Sequence, residues 1–239
     1  MITLYGYAPA FGLPSASPFA IKTDLQLRMS GLPYVYGAGG TPQNAPKGKI
    51  PYIEDKGERI GDSTFIREHL ESAYGIDLDA GLSAQQRASA WTIERLLEDH
   101  LYWALVHERW MDDANFEKGP AHFFNALPEA VRENVRQETR ERVKATLHAQ
   151  GLGRHTPAEI ARLGARSLQA LAQAIGEGPY LFGGKPSGSD ATAFAFAVSV
   201  LAPFFEGPLQ EAAAKLPVLK AYSERILQRY YPEMVQVAA

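Results

Sequence analysis

Lys49-Ile50-Pro51-Tyr52-Ile53-Glu54, followed by Asp55 to Gly57 and then by Glu58 to Gly61, is the stretch that decides the fold. Two short runs joined by a polar, Gly-containing turn predict a β-hairpin. Pro51 is awkward inside the first run, because proline offers no ladder N–H and belongs at strand edges or beginnings. Immediately afterwards Asp62-Ser63 predicts a helix start, with the helix running toward Tyr74 and Gly75 closing it.

Working toward the N-terminus, Ile2 to Tyr7 is β-branched and aromatic, ends at Ala8-Pro9, and reads as a strand. A Gly-, Pro- and Ser-rich loop leads to Ser17. From Pro18 the apolar positions Phe19, Ile21, Leu25, Leu27 and Met29 predict a helix, with Ser17 as N-cap, Pro18 in the first helical position and Gly31 as the stop. Pro33 to Tyr36 is a second short strand. Strand, helix and strand at this spacing make a βαβ unit ahead of the hairpin.

Toward the C-terminus the composition changes between Gly75 and Leu82, and from Ser83 onward nearly every segment has helical period. Three capping boxes, Ser83 to Gln86, Thr156 to Glu159 and Ser187 to Asp190, each precede an apolar-periodic segment. Helices are predicted near Ala84 to Asp113, Pro128 to Gln150, Pro157 to Ile175, Asp190 to Phe204 and Leu209 to Arg229. The expected organisation is an α/β N-terminal domain over residues 1–76 and an all-helical domain over residues 83–239.

With 239 residues, 46% of them hydrophobic, the chain can bury a sizeable core. A net charge of -3 lacks the basic footprint of a nucleic-acid binder. The absence of cysteine excludes disulfides, thiolate zinc sites and a protein thiol as nucleophile, and fits a reducing, cytoplasmic setting. Met1 leads straight into Ile2 to Tyr5 without a basic leader, so no signal peptide is expected. Ala191 to Phe205 is too short for the roughly 20 residues of a membrane span and contains Pro203, so it reads as a buried helix. The 6 histidines form no compact ligand set, and no metal site is expected. Pro46 to Lys49 lacks the glycine spacing of a phosphate loop. Arg132 to Lys144 alternates acid and base as a solvated helix face does.

Ser17-Pro18-Phe19, Lys49-Ile50-Pro51-Tyr52-Ile53, Gly61-Asp62-Ser63 and Ser187-Gly188-Ser189-Asp190 fall in the order found in glutathione transferases, and the chain resembles that superfamily over most of its length. Leu27 to Tyr34, Asp99 to Trp103 and Arg109-Trp110 resemble more narrowly the branch containing failed-axon-connections and metaxin-related proteins. The resemblance implies a thioredoxin-like N-terminal domain (βαβ-ββα) followed by an all-helical C-terminal domain, with glutathione as co-substrate, a homodimer, and no metal. It also implies a cis bond before Pro51, with the Ile50 backbone pairing with the cysteinyl unit of glutathione and Lys49 beside it. A trans proline at a strand edge is the alternative. Asp62 and Ser63 then fall where the family holds the γ-glutamyl end, a role compatible with plain helix capping.

For thiol activation the resemblance ranks Ser17 first. A hydroxyl at the first helical turn can donate to a thiolate and lower a thiol pKa from its free value near 8.5. Capping of the helix explains Ser17 equally well, and Ser15 and Tyr7 are competitors for the role. Leu96, His100, Trp103, His107 and Trp110 recur at helical spacing, with Tyr102 and Arg109 on a neighbouring stripe. Such a stripe is ordinarily core. As a pocket for planar, apolar electrophiles it would offer Tyr102, Trp103, His107 and Trp110, joined by Phe11 from the loop before Ser17. The expected activity is conjugation of the glutathione thiolate to a small electrophile. The rival expectation is a transferase-like scaffold for protein association, as in the metaxin-related branch.

Overall fold

Ile2–Tyr5 (β1), Tyr34–Tyr36 (β2), Tyr52–Asp55 (β3) and Glu58–Gly61 (β4) make a 4-stranded sheet in the order β2-β1-β3-β4 in the computed structural model, which describes residues 1–236. β1 and β2 run parallel, with Ile2 opposite Tyr34. β3 is antiparallel to β1, with Tyr52 opposite Tyr5, and β4 returns antiparallel to β3. Pro18–Ser30 (α1) is the crossover between the parallel strands, and Gly31 closes it at φ 69°, a left-handed value that glycine adopts without strain. Ser63–Tyr74 (α2) follows β4. The hairpin differs from the sequence reading in one respect. β3 begins at Tyr52, so Pro51 stands just before the strand, where its missing N–H costs no ladder bond.

The remaining helices are Ala84–Arg95 (α3), Tyr102–Met111 (α4), Asp113–Lys118 (α5), Glu129–Gln150 (α6), Pro157–Ile175 (α7), Gly188–Leu201 (α8), Pro208–Ala214 (α9), Pro217–Tyr230 (α10) and Pro232–Gln236 (α11). Two expected helices are subdivided. The one near Ala84 to Asp113 contains a π-helical segment, Leu96–Leu101, and stops at Met111, where the Asp112 side chain accepts from Asn115 N and caps α5. The one near Leu209 to Arg229 breaks at Leu216, because Pro217 cannot continue a helix and starts a new one. α8 ends at Leu201, ahead of Pro203, rather than at Phe204. All three capping boxes form: Ser83 N donates to Gln86 Oε1, Thr156 N to Glu159 Oε2, and Ser187 N to Asp190 Oδ2.

The sheet packs on α1 and α2 through Ile2, Leu4, Leu27, Ile53, Ile66 and Leu70. The other side of α1 enters the larger core, where Ile21 and Leu25 meet Leu97, Leu101, Phe194 and Phe196. α1 is therefore covered on all sides, and its polar residues must find partners inside. Lys22 Nζ, fully buried, lies 2.6 Å from Glu98 Oε1 and 3.3 Å from Glu94 Oε2. Arg67 on α2 reaches Asp79 at 2.7 Å, tying the sheet layer to the connection before α3. Asp24 accepts from the phenols of Tyr34 and Tyr36 and from Arg28. Arg28 in turn stacks over Tyr231, which is buried directly after α10. Among the described residues no helix is long and apolar enough to cross a membrane.

Candidate functional site

β3 and α2 position the first wall. The Ile50–Pro51 bond is cis, the isomer that the resemblance implies. Ile50 is buried against Tyr52 and Ala45, and Tyr5 stacks on Tyr52 with ring centroids 4.5 Å apart. Among the described residues, the backbone N–H and C=O of Ile50 enter no ladder pair and no loop hydrogen bond. Lys49 beside it is exposed and has no carboxylate partner among the described residues. At the N-terminus of α2, Asp62 has φ 82° and ψ 126°, outside the ordinary regions for a residue with a Cβ. Such backbone strain clusters at ligand-contacting positions. The Asp62 carboxylate caps the helix by accepting from Thr64 N at 2.9 Å, while its side chain remains exposed. Ser63 is buried, and its hydroxyl makes no hydrogen bond among the described residues.

The loop between β1 and α1 forms the second part. Ala10 and Leu13 pair as a tight bridge, with Phe11 at φ 60° and Gly12 at φ 72°, which is the geometry of a type I′ turn. Gly12 suits that turn, whereas Phe11 is a bulky side chain in a left-handed position, held there by its aromatic neighbours. Ser15 is buried, and its hydroxyl donates to Tyr7 O at 2.9 Å. Ser17 is half-buried and stands at the N-cap position in extended conformation, yet its side chain makes no capping bond. Of the three thiol-activating candidates, Ser15 is thus committed to the loop and Ser17 is not. Loss of solvation pushes the Tyr7 phenol up, so at neutral pH it can donate a proton but has none of the phenolate form to accept one.

The helical side meets this loop through an aromatic cluster. Tyr7 stacks on Phe123 at 5.8 Å between centroids, Phe11 packs on Phe123, Phe204 and Phe205, and Trp110 reaches Phe123 at 6.5 Å. Tyr7, Phe123 and Phe204 keep 39%, 44% and 37% of their surface exposed, which leaves an aromatic face open beside Ser17's loop. Tyr102 lies near Tyr7 and Arg109, and its ring meets Phe19 edge-on at 5.0 Å.

The stripe expected on the long helix does not stay together. His100 Nδ1 lies 2.8 Å from Ser167 Oγ on α7, and Trp103 packs against Tyr102 and the core. His107 lines a groove with Met111, Arg140, Lys144 and Leu147, and burial pushes its pKa down. The π segment explains part of this, since it holds Leu96 and His100 while Trp103, His107 and Trp110 follow it on α4. Each wide turn sets the following face back by about one residue, roughly 100° on an α-helix, so spacings counted across Leu96–Leu101 no longer report one face. Of the three residues on α4, Trp110 makes ring contact with the aromatic face through Phe123, and Phe11 joins that face from the loop, whereas Trp103 meets Tyr102 and His107 lies by α6.

Phe123, Phe204 and Phe205 were not legible as site residues. They lie in turns, Pro120–Phe124 and the Pro203 bend, not in periodic segments. Their one signal was the doubled phenylalanine in each proline-bounded turn. Gly119 allows the approach, since a Cβ there would stand 2.6 Å from the Phe205 ring.

The family model described as "Glutathione S-transferase N-terminal domain" matches residues 18–115, and that described as "Glutathione S-transferase, C-terminal domain" matches residues 164–226. The chain is 33% identical to isoprene-epoxide–glutathione S-transferase of Rhodococcus sp. (strain AD45), over 96% of this chain and 99% of that one. It is 30% identical to Failed axon connections of Drosophila melanogaster, over 99% of this chain and 60% of the fly protein, and metaxins are among its further relatives. In fold it is similar to the β-etherase LigF of Sphingobium sp. strain SYK-6, with a TM-score of 0.66 at 19% identity, covering 98% of each chain. Family models across both halves and a relative matched end to end agree with the sheet-plus-helices architecture: the chain belongs to the glutathione S-transferase family.

Proposed function

We propose that this protein conjugates the thiolate of glutathione to a small, largely apolar electrophile. The observation that carries this reading is a set of uncommitted polar groups, the Ser17 hydroxyl, the Ile50 backbone and the Ser63 hydroxyl, on elements that adjoin one exposed aromatic face. These groups fit a peptide-like thiol. Ile50 offers a donor and an acceptor to its central residue, the hydroxyl and backbone N–H of Ser63 meet a carboxylate, and Asp62 pairs with an ammonium group. Ser17 donates to the sulfur and favours the thiolate, which carries a few per cent of a free thiol at neutral pH. Tyr7, Phe11, Phe123 and Phe204 take the electrophile.

In the reaction the glutathione S–H proton leaves to solvent and the thiolate attacks an electrophilic carbon. With an epoxide, the S–C bond forms, the C–O bond breaks, and the alkoxide takes up a proton from the medium. The relative named for isoprene epoxide supports starting with small epoxides. Purified protein, glutathione and a C4 or C5 alkenyl epoxide are expected to yield the thioether faster than glutathione alone, by mass spectrometry. A rate equal to the uncatalysed one with epoxides, halides and activated alkenes alike would count against the enzyme reading.

A homodimer in the cytoplasm is the proposed assembly and setting, with sedimentation equilibrium as the check on the first. The second reading, a scaffold for protein association, is favoured by the relationship to Failed axon connections and the metaxins. Binding of a protein partner without any affinity for glutathione would select it.

A further inference from the structure

Arg109 on α4 is 6% exposed, and its charge has no carboxylate within ion-pair distance among the described residues. Its Nη1 donates to Ala16 O at 3.2 Å and its Nη2 to Ser199 O on α8 at 2.7 Å, while its Nε is buried without a partner. The guanidinium also lies over the Phe205 ring at 4.5 Å and beside Phe11 at 5.9 Å. Ala16 is the residue between Ser15 and Ser17. A buried cation is expensive unless paired, and this one is satisfied only by neutral carbonyls and ring faces.

We propose that Arg109 is a positioning residue for thiol activation: it holds the Ala16 carbonyl inward so that Ser17 turns its hydroxyl to the sulfur, and its uncompensated charge favours the thiolate. This rests on the transferase reading and adds to it the source of the activating field. Two anchors fix the loop, Ser15 Oγ on Tyr7 O and Arg109 on Ala16 O, and they leave the Ser17 hydroxyl as the uncommitted one. Burial pushes the Arg109 pKa down to about 10, which leaves it a cation at neutral pH. The ionisable groups around it are few. Tyr102 and Glu108 share its helix, and Tyr7 lies across from Tyr102. α8 presents the Ser199 carbonyl and the Phe205 turn presents a ring. Glu108 is engaged elsewhere, accepting from Leu209 N at 2.7 Å.

The test is the thiolate absorbance of bound glutathione titrated against pH in wild type, Arg109→Gln and Arg109→Lys, with affinity for an S-alkyl glutathione measured in parallel. The S-alkyl ligand has no ionisable thiol, so a merely structural role would change its affinity and not the titration alone. Arg109→Gln is expected to raise the bound-thiol pKa by about one unit, with S-alkyl affinity held within about twofold. Arg109→Lys keeps the charge and is expected to retain most of the shift. It also carries the test if the Gln variant does not melt cooperatively. A Gln variant that binds glutathione with an unchanged titration, or a Lys variant whose bound thiol titrates as free glutathione does, overturns the role of Arg109 alone. A wild type that binds neither ligand overturns the transferase reading and this proposal with it.

Discussion

The wall formed by β3 and α2 and the aromatic face are built in contrasting ways. The first is local. Ile50, Pro51, Asp62 and Ser63 lie within 14 consecutive residues, positioned by one hairpin and one helix start. The second is assembled from four distant segments: Tyr7 and Phe11 precede α1, Trp110 ends α4, Phe123 sits in the turn before α6, and Phe204 follows α8. A locally encoded wall suits a ligand that stays the same, here proposed as glutathione. A wall gathered from turns can change residue by residue without disturbing the hairpin, which suits a variable co-substrate.

The largest expected effect falls where the walls meet. Ser17→Ala should lower kcat/KM for conjugation by about a hundredfold, on the scale of removing one donor to a developing or fixed anion, while S-alkyl glutathione affinity holds. A fall below threefold would hand the role to Tyr7. Next, Asp62→Ala should weaken glutathione binding about tenfold by calorimetry, on the scale of one charge-assisted hydrogen bond. It should also lower stability by about 1 kcal/mol through loss of the Thr64 cap. Unchanged affinity would detach the first wall from the ligand. On the other wall, Phe123→Ala should raise KM for an apolar electrophile about fivefold and leave glutathione affinity alone. Comparable loss for both ligands would mean that the walls are not separable.

Smaller effects sharpen the contrast. His107→Ala should leave conjugation within about twofold, since its ring faces the α6 groove. A large loss would restore the stripe as a pocket. Below the first wall, Asp55 on β3 is buried and bonded to His69 Nε2 at 3.0 Å and to the Tyr74 hydroxyl at 2.8 Å. Despite the opposing push of burial, these partners hold its carboxyl below the usual range. A lowered folded-state pKa contributes stability that is present above the unfolded value near 4 and is lost as pH falls through the folded value. Asp55→Asn should therefore cost about 1 kcal/mol at neutral pH and flatten the acid limb of a stability-against-pH curve below about pH 4. An unchanged acid limb would remove Asp55 from the account.

The same contrast explains what the sequence made legible. The hairpin, the start of α2 and the three capping boxes announce themselves through turn, cap and proline chemistry acting over a few residues, so their places could be read directly. Counting the stripe at 3.6 residues per turn misplaces Leu96 and His100 relative to α4, because Leu96–Leu101 is wider than an α-helix. Nothing in Leu96 to Leu101 marks a π turn locally; the segment packs against α7 and α8, and the buried Lys22 bridges Glu94 and Glu98 across its start. Phe123 and Phe204 were hidden for a related reason, since a phenylalanine in a turn becomes a site residue only through what folds against it. Arg109 was visible as a residue, but its lack of a carboxylate is a property of the fold.

The central claim is that one ligand spans both walls. Its most direct test is calorimetric titration of the purified protein with reduced glutathione and with an S-hexyl glutathione, whose alkyl chain extends to the aromatic face. Saturable binding of both is expected, with the S-hexyl compound about tenfold tighter through its added apolar burial and with that increment removed by Phe123→Ala. Absence of binding by either ligand would contradict the account.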